Sequence, residues 1–518
     1  MSDEVEYRPV PAPDSRDAAG RHSRSRSRSF SAALGLTVLG AVVPGTAFLA
    51  AGRRKLGALV LVLFLLLVGG AAWLATGGRR MAVRTAVDTD SLRWVIGGLA
   101  LLALLWAVVI VAGWYMLVPR PTSRGRHVLG ALVVAVLVVC VAAPAAYATR
   151  LASVQRHLIA GVFTEHGRSA TVTDTPNPFG DKERVNVLLL GGDGGAGREG
   201  VRTDTVIVAS IATKTGDTTL FSLPRNLENL PFPPDSPLAA AYPDGFEGAT
   251  ESDGLLNAVY RNGPAAHPDI LGPTDNPGAD FLKLGVGEAL GLHIDYFVLV
   301  NLDGFSRLVD ALGGITVNVN YYVPINGDPG TGELPDGYIA PGPNQHLDGN
   351  MALQFARGRF GLTDYDRMAR QRCAVKAIVD AADPVTLLAQ YQQLAATTQD
   401  IVSTDIPRSA LDEFVDLAFR VKDAPVRSVV FDVNLISPAY PDYHRMRQIV
   451  AQALAPTATP SPAPADDSPQ TAGRSPAHPS PARPPAAGPV TDVTDACAYD
   501  PVRADEAIAA GKPPSKGR

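Results

Sequence analysis

The stretch Leu353–Arg372, LQFARGRFGLTDYDRMARQR, holds Arg357, Arg359, Arg367, Arg370 and Arg372 against only two carboxylates, Asp364 and Asp366. A guanidinium is planar, permanently charged and bidentate toward phosphate oxygens, so a cluster of them suits a diphosphate better than a neutral sugar. Three further segments bring matching chemistry: Gly191, Gly192 and Asp193 after an apolar run; Arg202, Thr203, Asp204 and Thr205; and SLPR, ending in Arg225. Asp193 and Asp204 would repel a phosphate unless a hard divalent ion, most simply magnesium, bridges them to its oxygens. Singly, each signal has a plainer reading. A charge run is commonly a solvated helix face, an Asp after a strand commonly caps a helix, and Arg202 with Asp204 would make an ordinary surface pair. In combination they point to one polyanion, gripped locally.

For these segments to meet, they must leave the strands of one sheet at its ligand-binding end. The run VNVLLL at 185–190 has the continuous apolar character of a buried strand. Further strands are expected at Thr205–Ala212, Thr218–Ser222, Tyr296–Asn301, Ile315–Val323 and Ser428–Val433. Helices are expected at Asp253–Asn262, Asp280–Leu290, Gly304–Leu312 (closed by Gly313 and Gly314), Gly349–Phe355 and Tyr365–Ala382, with a pair between Pro384 and Val421. Interleaving of this kind predicts a single layered α/β/α domain with a mixed central sheet over 183–454. The Pro-rich stretch Leu227–Phe246 reads either as a surface loop of polyproline character or as a lid touching a glycan.

Before the domain, residues 1–29 are polar, with arginines in RHSRSRSRS, and predict a disordered basic cytoplasmic tail. Residues 30–150 predict a membrane anchor of four apolar stretches, Phe30–Ala51, Leu56–Thr76, Trp94–Val118 and Val128–Ala148. Pro44 and Gly45 interrupt the first. Treating it as a re-entrant hairpin leaves three crossings, puts Arg53, Arg54, Lys55, Arg120, Arg124 and Arg126 inside, and presents the domain outside the cytoplasmic membrane. The alternative is four crossings. Residues 151–182 read as a stalk, 455–491 as a Pro/Ala-rich disordered linker, and 492–518 as a short C-terminal element containing Cys497. Of three cysteines, Cys140 falls in an apolar stretch, so Cys373 and Cys497 either pair or remain two free thiols. A net charge of -5 says little by itself on a chain this long, but without a domain-wide basic surplus or a basic helix-turn-helix nucleic acid finds no support as a partner. His267, His293 and His346 lack zinc-ligand spacing.

Taken in order, VNVLLLGGD, RTDT, SLPRN, LVDALGGITVNV, LDGNMALQFARGR and DYDRMARQR resemble the LytR-CpsA-Psr family of envelope glycopolymer ligases, across 185–372. The resemblance implies transfer of a polyprenyl-diphosphate-linked glycan (teichoic acid, arabinogalactan or a capsule-like polymer) to peptidoglycan on the outer face of the membrane. It implies magnesium at Asp193 and Asp204, diphosphate contacts from Arg202, Arg225, Arg357, Arg359 and Arg367, a motif carboxylate at Asp364, and substrate-side roles for Arg370 and Gln371. Asn226 departs from the family's usual SIPRD, removing a carboxylate that would orient Arg225. Two rival functions remain open at this point: a polyprenyl-diphosphate phosphohydrolase and a non-catalytic envelope regulator or lipid-binding module.

Overall fold

A computed structural model describes residues 29–163, 168–172, 178–179, 181–193, 201–382, 402–455 and 490–516. The basic tail apart from Ser29, most of the Pro/Ala-rich linker and the first of the two helices expected after Pro384 lie outside the described residues. The chain forms two compact units, one from the segment up to Ala72 with Gly98–Ala148, the other from Trp73–Gly97 with everything from Thr149 on.

The amino-terminal third is helical: α1 (Phe30–Val42), α2 (Thr46–Ala50), α3 (Arg54–Thr76), α4 (Arg79–Val87), α5 (Thr89–Leu117) and α6 (Arg124–Val162). By length and composition α3, α5 and α6 can cross a bilayer. The first apolar stretch forms no such helix. α1 has 13 residues, a rise of about 20 Å, and the chain turns at Gly45, whose φ of 101° is open to glycine but strained for other residues. α6 continues beyond Ala148 for three to four more turns, so the helical start of the stalk belongs to it. Helix α4, between the second and third apolar stretches, was not among the elements expected from the sequence.

The second unit is built on a seven-stranded sheet. Its elements are β1 (Arg184–Gly192), β2 (Thr203–Ala212), β3 (Thr218–Leu223), α7 (Pro237–Ala241), α8 (Leu256–Ala266), α9 (Pro277–Leu290), β4 (Tyr296–Asn301), α10 (Leu302–Ala311), β5 (Ile315–Val319), β6 (Val323–Ile325), β7 (Gly337–Ile339), β8 (Gly342–Leu347), α11 (Gly349–Arg357), α12 (Asp364–Ala381), β9 (Val402–Thr404), α13 (Leu411–Lys422), β10 (Val426–Val430), α14 (Tyr443–Leu454), β11 (Thr491–Asp492), α15 (Val493–Ala496) and α16 (Pro501–Ala509). The sheet order is β11-β10-β3-β2-β1-β4-β9. β1 runs parallel to β4 and β3 to β10, whereas β1–β2, β2–β3, β4–β9 and β10–β11 are antiparallel, so the sheet is mixed.

Alternation along the strands divides the side chains between two faces. Leu188, Val206, Val208 and Phe221 pack with Val259 of α8, Phe281 of α9 and Met446 of α14. Ile207, Ala209 and Leu220 face the other way, toward Val375 of α12 and Val493. Burial of such side chains contributes about 1.5–3 kcal/mol each, and both faces are covered as the layered expectation required. Two expectations need correction. Ile315–Val323 is not one strand: β5 pairs with β8, and Val323 opens β6, which pairs with β7, giving two small separate sheets. Leu227–Phe246 is neither surface loop nor lid, because Leu227, Leu230, Phe232, Leu238 and Phe246 are buried in the main core. Its prolines shape a plug whose apolar side chains face inward.

Candidate anion and lipid site

The predicted segments do converge at one end of the sheet. β1 delivers Asp193 just beyond Gly192, β2 carries Asp204 as its second residue, and β3 ends before Arg225. Between β1 and β2 the register shifts: Gly191 opposes Thr205 and Gly192 opposes Thr203, leaving Asp204 as the extra residue of a bulge. A bulge re-aims the side chain it carries. Gly191 permits the close approach of Thr205, since a Cβ there would lie 2.8 Å from that residue's own Cβ.

On the α12 side of the sheet lies a cavity of about 870 Å³. Leu189, Val298, Phe305, Leu308, Val375 and Ile378 give part of its wall an apolar surface, while Asp193, Asp204, Arg357, Arg359, Arg367 and Gln371 line it with polar groups. α11 ends at Arg357, capped by Gly358, and α12 starts at Asp364 with a capping box in which Thr363 and Asp366 satisfy each other's backbone N–H groups. Two helix ends thereby hold Arg357 and Arg359 on one side and Asp364 and Arg367 on the other.

The charges are interlocked. Arg225 donates to Asp204 at 2.9 Å and lies 3.5 Å from Asp364. Arg367, only 3% exposed, donates to Asp364 at 3.1 Å and to the Asp204 carbonyl at 3.1 Å. Burial draws the Arg367 guanidinium down to about 10, with Asp364 and Asp204 opposing the shift, so it stays charged at neutral pH. Burial would raise Asp204, but the Arg225 hydrogen bond and charge, with Asn257 and Arg367, outweigh it and hold the carboxyl below its ordinary value. Asn226 is exposed; the carboxylates that orient Arg225 come from Asp204 and Asp364, which replaces the one absent from SLPRN.

Not every expected residue reaches the cavity. Arg202, Arg225 and Asp364 are absent from its lining. The Arg202 side chain lies 3.7 Å from Asp253, and its backbone N–H donates to Asp193. Arg370, expected on the substrate side, is 4% exposed and holds backbone instead: it donates to the Phe355 and Gly358 carbonyls and, at 2.9 Å, to the Tyr321 hydroxyl. Its place on α12, one turn beyond Arg367, points it under α11, which no charge count could reveal. Gln371 lines the cavity and donates to Thr205 at 2.8 Å. Cys373 and Cys497 are joined as a disulfide. Sequence reasoning missed Asn257, which donates to Asp204 at 3.2 Å; a polar residue set in the apolar run LLNAV was the available signal.

Among the described residues no group of three or more His, Cys, Asp or Glu forms a metal cluster. Asp193 and Asp204, both on the cavity wall, are still a donor set that fits magnesium, which usually binds one or two protein carboxylates and completes its octahedron with phosphate oxygens and water.

A partly apolar chamber with Arg357, Arg359 and Arg367 on its wall defines a class of site: an α/β domain with a cavity whose chemistry fits an amphiphile with an anionic head. Residues 159–446 match the LytR_cpsA_psr family, and the chain belongs to that family. It is 30% identical over 249 residues to the polyisoprenyl-teichoic acid–peptidoglycan teichoic acid transferase TagU of Enterococcus faecalis, covering 47% of this chain and 68% of that one. It is 24% identical over 292 residues to biofilm regulatory protein A of Streptococcus mutans, covering 55% and 64%. Among solved structures, B. subtilis TagV matches with 22% identity over 52% of this chain and 96% of that chain, at a TM-score of 0.36.

Proposed function

We propose that this protein is a transferase that moves a glycopolymer from a polyprenyl diphosphate carrier to peptidoglycan. The observation that carries the reading is the cavity, whose apolar wall suits a polyprenyl chain and whose Arg357, Arg359 and Arg367 suit its diphosphate. An acceptor hydroxyl of peptidoglycan attacks the sugar-bearing phosphorus. A new P–O bond forms to the acceptor, the bond to the bridging oxygen breaks, and polyprenyl monophosphate leaves. The acceptor's proton passes to a carboxylate of the site, Asp193 or Asp364. Such chemistry depends on positioning and on neutralising charge on the phosphoryl oxygens. Arg357 and Arg359 supply that neutralisation; Arg367, Asp364, Asp204 and Arg225 hold the constellation in shape. Magnesium, when bound, would be held by Asp193 and Asp204 and would add its charge to the same oxygens.

The domain works on the outer face of the cytoplasmic membrane, anchored by three crossings. Support comes from α4, the connector between α3 and α5. Arg84 pairs with Asp416 of α13, Arg80 stacks over Phe419 at 5.4 Å, and Gln155 donates to the Ala86 carbonyl. The connector and the domain therefore share one side, which agrees with an inside tail and three crossings. These pairings also account for arginines on the outer side, against the usual charge bias.

The test is full-length protein in detergent with a lipid-linked glycan donor, assayed with and without peptidoglycan. Polymer–peptidoglycan product that forms only with acceptor supports the transferase. Equal lipid monophosphate release without acceptor would instead identify a phosphohydrolase.

A further inference from the structure

We infer that the C-terminal element, residues 490–516, is a working part of the site and that Arg503 is a positioning residue for Arg357 and Arg359, an inference that rests on the diphosphate reading above. The element lies beyond the family match at 159–446, yet it is built into the domain. β11 extends the sheet beside β10, the Cys373–Cys497 disulfide ties it to α12, and the Asn318 and Asn320 side-chain amides donate to the Cys497 and Ala498 carbonyls at 3.0 and 3.1 Å.

From this base α16 places Arg503 against two parts of the site at once. Its guanidinium stacks on the Tyr321 ring at 4.4 Å and pairs with Asp366 at 3.2 Å. The Tyr321 hydroxyl receives a hydrogen bond from Arg370, and Arg370 grips the carbonyls of Phe355 and Gly358, the residues bracketing Arg357 and preceding Arg359. Asp366 is the acidic member of the capping box that starts α12, two residues from Asp364 and one from Arg367. One exposed arginine thus braces both helix ends that carry the anion-binding groups. Tyr321 lies between two guanidiniums, Arg370 being 5.7 Å from its centroid. The ring's face attracts both cations, and Asp366 provides the counter-charge.

If the element served only to close the sheet edge, loss of Arg503 would leave ligand discrimination unchanged. If it positions the arginines, what suffers is recognition of the second phosphate. The experiment uses full-length protein in detergent and compares Kd for a polyprenyl diphosphate with Kd for the monophosphate of the same chain length, with a thermal melt of each variant. Wild type should prefer the diphosphate. Arg503→Ala should lower that preference about fivefold, the scale of one partly desolvated cation–π contact. Arg503→Lys should restore most of it, and Tyr321→Phe, which keeps the ring but removes the hydroxyl bonded to Arg370, should also lower it. Unchanged preference in both Arg503→Ala and Tyr321→Phe, whatever their melting temperatures, overturns the inference while leaving the functional reading intact. A wild type without diphosphate preference overturns the functional reading and this inference with it.

Discussion

Arg357 ends α11 and Arg359 lies in the loop after it, both on the cavity wall where, on the proposed function, a transferring phosphoryl group would sit. Truncation of Arg357 to Ala is expected to lower kcat/KM for transfer by about 10²–10³, the usual cost of one preorganised electrostatic group, while the thermal melt stays near wild type because the side chain is exposed. The carboxylates that organise the arginines set a pH limit. Asp204 and Asp366 are both held below the ordinary value of 3.8, in each case against the upward pull of burial. A depressed folded-state value means stability that is fully present above 3.8 and lost as pH falls from there through the lower folded-state value. Denaturant titrations should therefore give this contribution as flat from pH 7 to about 4 and falling below, with Asp204→Asn flattening part of that limb. At this scale the sequence was readable where charge meets a glycine-rich turn, as at Asp193. It misled at Arg370, because direction around a helix axis, and not charge, decides whether an arginine meets ligand or backbone.

The elements that matter most are those whose ends make the site. Thr363→Ala removes the side-chain half of the α12 capping box and is expected to cost about 1 kcal/mol, measured by chemical denaturation. Lowered diphosphate affinity in the same variant would show that α12 is pinned at its first turn. Within the cavity wall, Val375→Phe adds bulk to an apolar surface. Binding of long polyprenyl diphosphates should weaken more than binding of short ones, at a stability cost of about 1–3 kcal/mol from overpacking. Strands β1 to β4 were legible because buried runs such as VNVLLL and YFVLVN carry their own signature. β6 and β7 were not: each has three residues, too short for any alternation to register, and the long connection 326–336 between them gives no tight-turn signal. The 227–246 segment misled for a related reason, since proline density spoke for a loop while the spacing of its leucines and phenylalanines served the core.

Across the whole molecule, distant parts of the chain close on one domain. The disulfide joins positions 124 apart in sequence, and replacing Cys497 with Ser should destabilise the domain by about 2–4 kcal/mol, seen as a lower melting temperature that reductant reproduces in wild type. The anchor is tested by labelling: a cysteine replacing Asp90 should react with a membrane-impermeant maleimide on intact cells, whereas one replacing Ser123 should react only after lysis. The opposite pattern would reverse the orientation. Four apolar stretches could be read from hydropathy alone, three of which form helices long enough to cross a bilayer, yet the docking of α4 could not, because it depends on α13, more than 300 residues later.

The bond between Cys373 and Cys497 also gives the chain a timetable. Thiols stay reduced in the cytosol and oxidise outside it, so an outward-facing domain completes this closure only after the polypeptide has emerged. On the proposed outer-face function, the brace inferred for Arg503 would then be fastened last, where carrier lipid and wall acceptor would both be present. A chain retained inside would keep its arginine-lined chamber but not its latch, and maturation of the site would be coupled to arrival at the compartment where it is used.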